Sequence, residues 1–173
     1  MMKLKMVDSK QKQQLQALCR VAYTQHFANH WEADGLELYL ENQFGTSRLD
    51  ADLRDPKVGY YFIYSNQQAA GFLKIQGHAA LEGQEDLNCS ELEKIYLLKE
   101  FAGQGLGKQA LQQIITILRQ QEVDLLFLCV IDTNLTAIAF YQKLGFQFHS
   151  KTILDVPSFK EELKGMHRMI LYL

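Results

Sequence analysis

The chain has 173 residues, 47% apolar and 22% charged, an ordinary globular composition for one domain that buries about two thirds of its unfolded surface. Its net charge of −2 lacks the basic excess that a nucleic-acid-binding face needs, and no apolar run approaches membrane-spanning length. Cys19, Cys89 and Cys129 are widely spaced and form no CxxC pair, and MMKLKMVDSKQKQQLQ has no signal-peptide core, so a cytoplasmic protein with free thiols is expected.

The first third reads as helical. From Ser9, a plausible cap, Leu15, Leu18, Cys19 and Ala22 form one apolar stripe, less regularly continued by Phe27. GLELYLENQF gives a second helix with Leu36, Tyr39, Leu40 and Phe44 on one side, and TSRLDADLRDP a short third one stopped by Pro56. The pattern then becomes aromatic and β-branched. Val58–Ser65 and Ala69–His78 read as two strands joined by a turn at NQQ, a hairpin. After the acidic loop LEGQEDLN, Glu91–Leu98 is a third strong strand. Lys108–Gln121 is an amphipathic helix carrying Leu111, Ile114, Ile115 and Leu118 on one face. Asp124–Ile131 is apolar almost throughout, as a strand buried on both faces would be. A short helix from Asn134 to Leu144 ends at Gly145. Two last strands, around Phe146–Val156 and Met166–Leu173, flank a polar loop holding Pro157. No repeat and no linker interrupts this order, which predicts a mixed α/β sheet in one domain spanning residues 1–173.

Between the third strand and the long helix lies EFAGQGLGKQAL, with glycines at 103, 105 and 107. Three glycines in five residues carry a conformational-entropy cost, so they serve either a sharp turn or a close approach of backbone to a ligand. A strand, a glycine-rich turn and a helix start together offer free N–H groups and a helix dipole to an anion. The dinucleotide fingerprint fails because Lys108 stands where a third small residue is needed. The Walker motif fails because Gln109 follows Gly107-Lys108 and its first glycine falls on Ala102. What is left is a tight G-x-G-x-G loop with a basic residue at the helix start, suited to a pyrophosphate, with a plain structural turn as the competing reading.

LEKIYLLKEFAGQGLGKQAL followed by NLTAIAFYQKLGF resembles the two signature segments of the GCN5-related N-acetyltransferase (GNAT) superfamily. The matches are Gly105 and Gly107 in the first segment, and Asn134, Ala137, Phe140, Tyr141, Gly145 and Phe146 in the second. Ala102 departs from the family pattern, standing where Arg or Gln is usual. The N-terminal helices, YLENQF, the hairpin and ELEKIYL look like the bacterial spermidine/spermine branch. The resemblance implies an α/β (α+β) fold with a mixed, mostly antiparallel central sheet, a parallel splayed strand pair and flanking helices. It also implies an acetyl-CoA-dependent N-acetyltransferase without a metal, acting on a primary amine by direct attack, with a polyamine as first guess. A different amine (a protein N-terminus, a lysine, an amino acid, an antibiotic) and a non-catalytic acetyl-CoA-binding regulatory role are the alternatives. The partner is a small-molecule amine, and relatives often form homodimers.

By the same resemblance Tyr141 lies near the cofactor sulfur, as proton donor to the leaving thiolate, and Asn134, Phe140 and Lys143 contact the cofactor. Gly103, Gln104, Gly105, Leu106, Gly107 and Lys108 cradle the pyrophosphate, while Ile95, Tyr96 and Leu97 supply backbone to the pantetheine arm and to the oxyanion. The amine must also lose a proton, since its pKa near 10.4 leaves it charged at neutral pH. Glu93, on the strand lining the acetyl site, is the candidate base, with Glu91 and Ile95 expected to share its face at period two. Glu32, Asp34, Glu37 and Glu41, with Glu82, Glu85 and Asp86, set acid around the acceptor side, where it would steer a polycation. His26 and His30, four apart without Glu or Cys neighbours, read as satisfied or exposed histidines, not as metal ligands.

Overall fold

A computed structural model describes all 173 residues. One seven-stranded sheet runs through the molecule: β1 (Met2–Met6), β2 (Val58–Ser65), β3 (Gln68–Gly77), β4 (Cys89–Leu97), β5 (Leu125–Ile131), β6 (Gln147–Ile153) and β7 (Gly165–Tyr172). Their spatial order is β1-β2-β3-β4-β5-β7-β6, and β4–β5 is the one parallel pair. The helices are α1 (Lys12–Phe27), α2 (Gly35–Phe44), α3 (Thr46–Arg54), α4 (Leu106–Gln120) and α5 (Leu135–Lys143). No helix is long and apolar enough to cross a membrane.

The expected elements are present, with one addition. β1 precedes the helical third and pairs antiparallel with β2, Met2 opposite Ser65 and Met6 opposite Tyr61. Five residues of MKLKM are too short a run for periodicity to register, and an edge strand needs to bury only one face. The hairpin turn falls on Asn66 and Gln67, both at positive φ, the conformation that suits the twist of two-residue hairpins.

Two apolar layers sandwich the sheet. On one side α4 lays Ala110, Leu111, Ile114, Ile115 and Leu118 against Leu73, Ile75, Leu92, Leu126, Leu128 and Met169. On the other, α1, α2 and α3 bury Leu15, Cys19, Ala22, Phe44 and Leu49 against Tyr60, Phe62, Phe72 and Ile131. A smaller cluster of Leu81, Cys89, Leu125, Phe127 and Ile170 closes the sheet's far end.

Candidate active site

The centre of the site is made by two strands coming apart. β4 and β5 pair only at Cys89–Glu91 with Leu125–Phe127, so β4 from Leu92 onward has no strand on its β5 side. Antiparallel pairing with β3 fixes which backbone groups point there. Leu98 N–H donates to the Ala70 carbonyl, toward β3, so by alternation Tyr96 also faces β3, opposite Phe72, while Ile95 and Leu97 aim their N–H and C=O groups into the gap. His26 corroborates this, its Nε2 donating to the Leu97 carbonyl from the gap side at 2.7 Å. Of the three residues expected to present backbone, Ile95 and Leu97 do, whereas Tyr96 spends its N–H on the ladder and its ring in an aromatic cluster with Tyr23, Phe27 and Phe72.

The register also shifts between Lys74 and Ile75: Lys74 faces Lys94, and Ile75 faces Leu92, leaving Glu93 as an extra residue in β4. A bulge of this kind interrupts the alternation of side chains. Glu93 and Lys94, consecutive in sequence, therefore share the α1–α3 side, while Ile95 packs with the α4 layer. The expectation that Ile95 lies on the face of Glu93 is corrected here, because period two holds only in an unbroken strand.

The glycine loop lies at the end of β4. Gly103 and Gly105 sit at φ +75° and +74°, where other residues are strained, and Gly105 occupies the N-cap of α4 without a side-chain cap. No group of the chain accepts a hydrogen bond from the backbone N–H groups of Gly103 to Lys108. Those unpaired donors and the positive end of α4 form a concavity for an anion, which is the fit a pyrophosphate needs. Gly107 does different work. A methyl group there would stand 3.8 Å from both Leu97 Cδ1 and Phe140 Cζ, so β4, α4 and α5 converge at this glycine. Gln104 folds back to the Glu100 carbonyl at 3.1 Å, Leu106 is buried, and Ala102 and Lys108 are exposed.

α5 starts at Asn134, whose side chain accepts from Ala137 N–H at 3.1 Å, an ordinary cap. Tyr141 packs between Phe140 and Phe146, with ring centroids at 5.2 and 5.7 Å, and burial pushes its hydroxyl up to about 12. The phenol is therefore protonated at any neutral pH. Phe140 and the exposed Lys143 line a shallow open groove on α5.

On the opposite side of the gap the sequence concealed a charge network. Lys74, 1% exposed, lies 2.8 Å from Asp52 and 2.9 Å from Glu93; Lys94, 6% exposed, donates to Glu93 and, at 3.1 Å, to Gln43. Asp52 also accepts from Tyr60 Oη and Arg48 Nε, both at 2.9 Å. Burial alone would raise the Glu93 carboxyl, but the ammonium groups of Lys94 and Lys74 outweigh it and hold the group at about 2. Neither lysine stood out in sequence, since an isolated lysine in a strand reads as a solvated edge. The expected acidic lining of the roof is partly consumed as well: Glu37 and Glu41 both pair with Arg20 of α1. The His30 ring packs edge-on against Phe27 and tilted against Phe159, and neither histidine belongs to a metal-ligand group.

This arrangement has counterparts among known proteins. Residues 16–146 match the acetyltransferase (GNAT) family, and the chain belongs to it. It is 28% identical over 143 residues, 83% of both chains, to an uncharacterized N-acetyltransferase in the pepI 3′ region of Lactobacillus delbrueckii subsp. lactis. Over 61 residues, 35% of this chain and 40% of the other, it is 33% identical to a protein described as a probable spermine N(1)-acetyltransferase of Bacillus subtilis subsp. natto. Its fold matches the PaiA N-acetyltransferase of Thermoplasma acidophilum, solved in complex with coenzyme A, with a TM-score of 0.79 and 15% identity over 100% of this chain and 99% of that one. The chain is thus an acyltransferase whose acetyl donor is acetyl-CoA, and its mixed sheet with one parallel splayed pair is the family fold.

Proposed function

We propose that the protein transfers the acetyl group of acetyl-CoA to the nitrogen of a small primary amine by direct attack, with no acyl-enzyme. The observation that carries this reading is the β4 edge at Ile95 and Leu97, which no strand pairs and where His26 engages the Leu97 carbonyl, followed after a short turn at Lys99–Phe101 by the unpaired amides of Gly103 to Lys108. In this reading those amides, from Gly103, Gln104, Gly105, Leu106, Gly107 and Lys108, hold the pyrophosphate. Ile95 and Leu97 extend backbone to the pantetheine arm, and one of their N–H groups meets the oxyanion. The flank is completed by Asn134, Phe140 and Lys143. Bound acetyl-CoA supplies a thioester, an acyl carbon open to an amine and a thiolate that can leave. Tyr141 donates a hydrogen bond to that thiolate. Cys129, pushed up by burial and by the nearby Glu91, stays a thiol and gives no competing nucleophile.

Glu93 receives the proton that the ammonium sheds, through a water. A carboxylate held at about 2 is ionised throughout the working range and passes that proton on to solvent rather than keeping it. The rise of kcat/KM with pH between 6 and 9 is accordingly set by the acceptor, whose amine titrates near 10.4. Glu93→Gln is expected to lower kcat/KM by about 10-fold and by a similar factor at every pH in that interval; a ratio that changed steeply with pH would mean that Glu93 itself titrates there.

Two acceptor classes follow. Spermidine and spermine are suggested by the partial match to the Bacillus protein. A different small amine is favoured by the two lysines buried beside Glu93, which place positive charge where a polycation would bind. Release of CoA from acetyl-CoA, measured with spermidine, spermine, diamines, amino acids and peptides, tests the reading. Turnover with any amine supports it, and the ranking selects the class. Tight acetyl-CoA binding with no turnover on any amine would replace it by a regulatory, cofactor-binding role.

A further inference from the structure

A band of polar side chains crosses the α1–α3 side of the sheet between two apolar clusters. β4 contributes Glu91 and Glu93. β5 contributes Cys129, flanked by buried Phe127 and Ile131; β7 contributes Arg168, flanked by Met166 and Ile170. Cys129 stands opposite Arg168, and Arg168 opposite Ser150 of β6, so register puts all three in one row on one face. Each member of the band is only partly buried, while Phe127, Ile131 and Ile170 beside it are buried. The band is therefore a partly accessible polar strip across the sheet, starting beside the β4–β5 gap.

Charge along this strip is unevenly matched. Arg48, Lys74 and Lys94 each have a carboxylate within ion-pair distance, supplied by Asp52 and Glu93. Arg168 forms no ion pair within the chain, although it sits half-buried on the same face. Asp52 and Glu93 serve three cations between them, and the charge of opposite sign on the strip near Arg168 is Glu91, whose carboxyl burial raises and Arg168 helps to lower without an ion pair forming. Directly across β6–β7 from Arg168, the Ser150 hydroxyl is buried with no hydrogen-bond partner. A half-buried guanidinium and an unsatisfied hydroxyl side by side are together the donors that a carboxylate takes, bidentate from arginine with one further bond.

We propose that Arg168, with Ser150, binds a carboxylate carried by the acceptor, so that the substrate is a small molecule holding both the reacting amine and a carboxylate, of the amino-acid class. This rests on the acetyl-transfer reading and narrows its acceptor. The amine lies at the gap beside Glu93 and the carboxylate points across β5 to β7. Two strand spacings, about 10 Å, would separate β4 from β7 in a closed sheet, and the splay at Glu93 makes the span longer, so the arginine side chain and the acceptor cover it together. A polyamine along the same strip would set an ammonium against the Arg168 guanidinium.

The test compares acceptors matched except for the carboxylate: lysine with cadaverine, ornithine with putrescine, β-alanine with ethylamine. Wild-type protein is expected to prefer the carboxylate-bearing member by about 100-fold in kcat/KM, and Arg168→Gln to reduce that preference to a few-fold. Equal or better turnover of the plain amines overturns the proposal and leaves the acetyl-transfer reading standing. A second arm needs no turnover. Calorimetry of the CoA complex with N-acetyl-β-alanine and with N-ethylacetamide is expected to give binding only for the former, weakened at least 10-fold in Arg168→Gln. The same comparison with an amino-phosphonate separates a carboxylate site from one for any anion. Binding of N-acetyl-β-alanine without catalysis on any amine would sink the acetyl-transfer reading while keeping the carboxylate site; no difference between the two amides would remove that site.

Discussion

Tyr141→Phe is expected to lower kcat by about 100-fold while leaving the KM for acetyl-CoA within about 2-fold. The reasoning starts from where the ring sits. Phe140 and Phe146 hold the Tyr141 ring from two sides, so loss of the hydroxyl alone creates no cavity and disturbs no packing. The effect reads a single proton. Burial pushes the phenol up to about 12, well above the pKa of a free thiol near 8.5, so full transfer to the departing thiolate is uphill by about 5 kcal/mol. The hydroxyl acts mainly by donating a hydrogen bond to the charge that builds on sulfur as the C–S bond breaks. The loss therefore falls on the step that expels the thiolate and grows with the basicity of the leaving group. A thioester whose thiol has a much lower pKa should recover most of the deficit in the variant. An unchanged kcat, or a deficit that ignores the leaving group, would remove Tyr141 from the proton-donor role and leave it as packing.

Much of this site was legible because its parts are local. Gly103 and Gly105 announce a backbone conformation that the chain adopts at φ +75° and +74°, and the Asn134 cap and Gly145 bracket α5 where expected. What the sequence did not disclose depends on partners far apart in the chain. The bulge that turns Glu93 and Lys94 to one face is a property of the β3–β4 register, and nothing in ELEKIYL marks which residue is extra. Lys74 looks like any strand lysine until α3 delivers Asp52 beneath it. Arg168 comes beside Cys129 only because β7 inserts between β5 and β6, a non-sequential neighbour relation that periodicity does not encode, and it faces Ser150 only because the β6–β7 register shifts between Phe148 and Ser150. β1 was missed for the complementary reason, five residues being too few for a pattern to declare itself.

The network around Lys74 carries the largest expected change in stability. Lys74→Met removes the cation shared by Asp52 and Glu93, and neither carboxylate can escape to water easily, Asp52 being 7% exposed. Breaking a buried pair from one side costs about 3–5 kcal/mol because the remaining charge is uncompensated. For a domain of this size that corresponds to a fall in Tm of roughly 10 °C. Tyr60 and Arg48 still reach Asp52, which keeps the loss toward the lower end. Removing Asp52 as well, in a Lys74→Met/Asp52→Asn double variant, should return part of the stability, since the two changes share one interaction and are not additive. The pH dependence separates this from a packing defect. Glu93 is held at about 2 when folded against an ordinary value near 4.5, so it contributes stability above about 4.5 that disappears as pH falls toward 2. Lys74→Met weakens that depression, so Tm should fall less steeply between pH 5 and 3 in the variant than in the wild type. Parallel curves offset by a constant would show that the methionine simply fits badly and that the charges of this network do not act together.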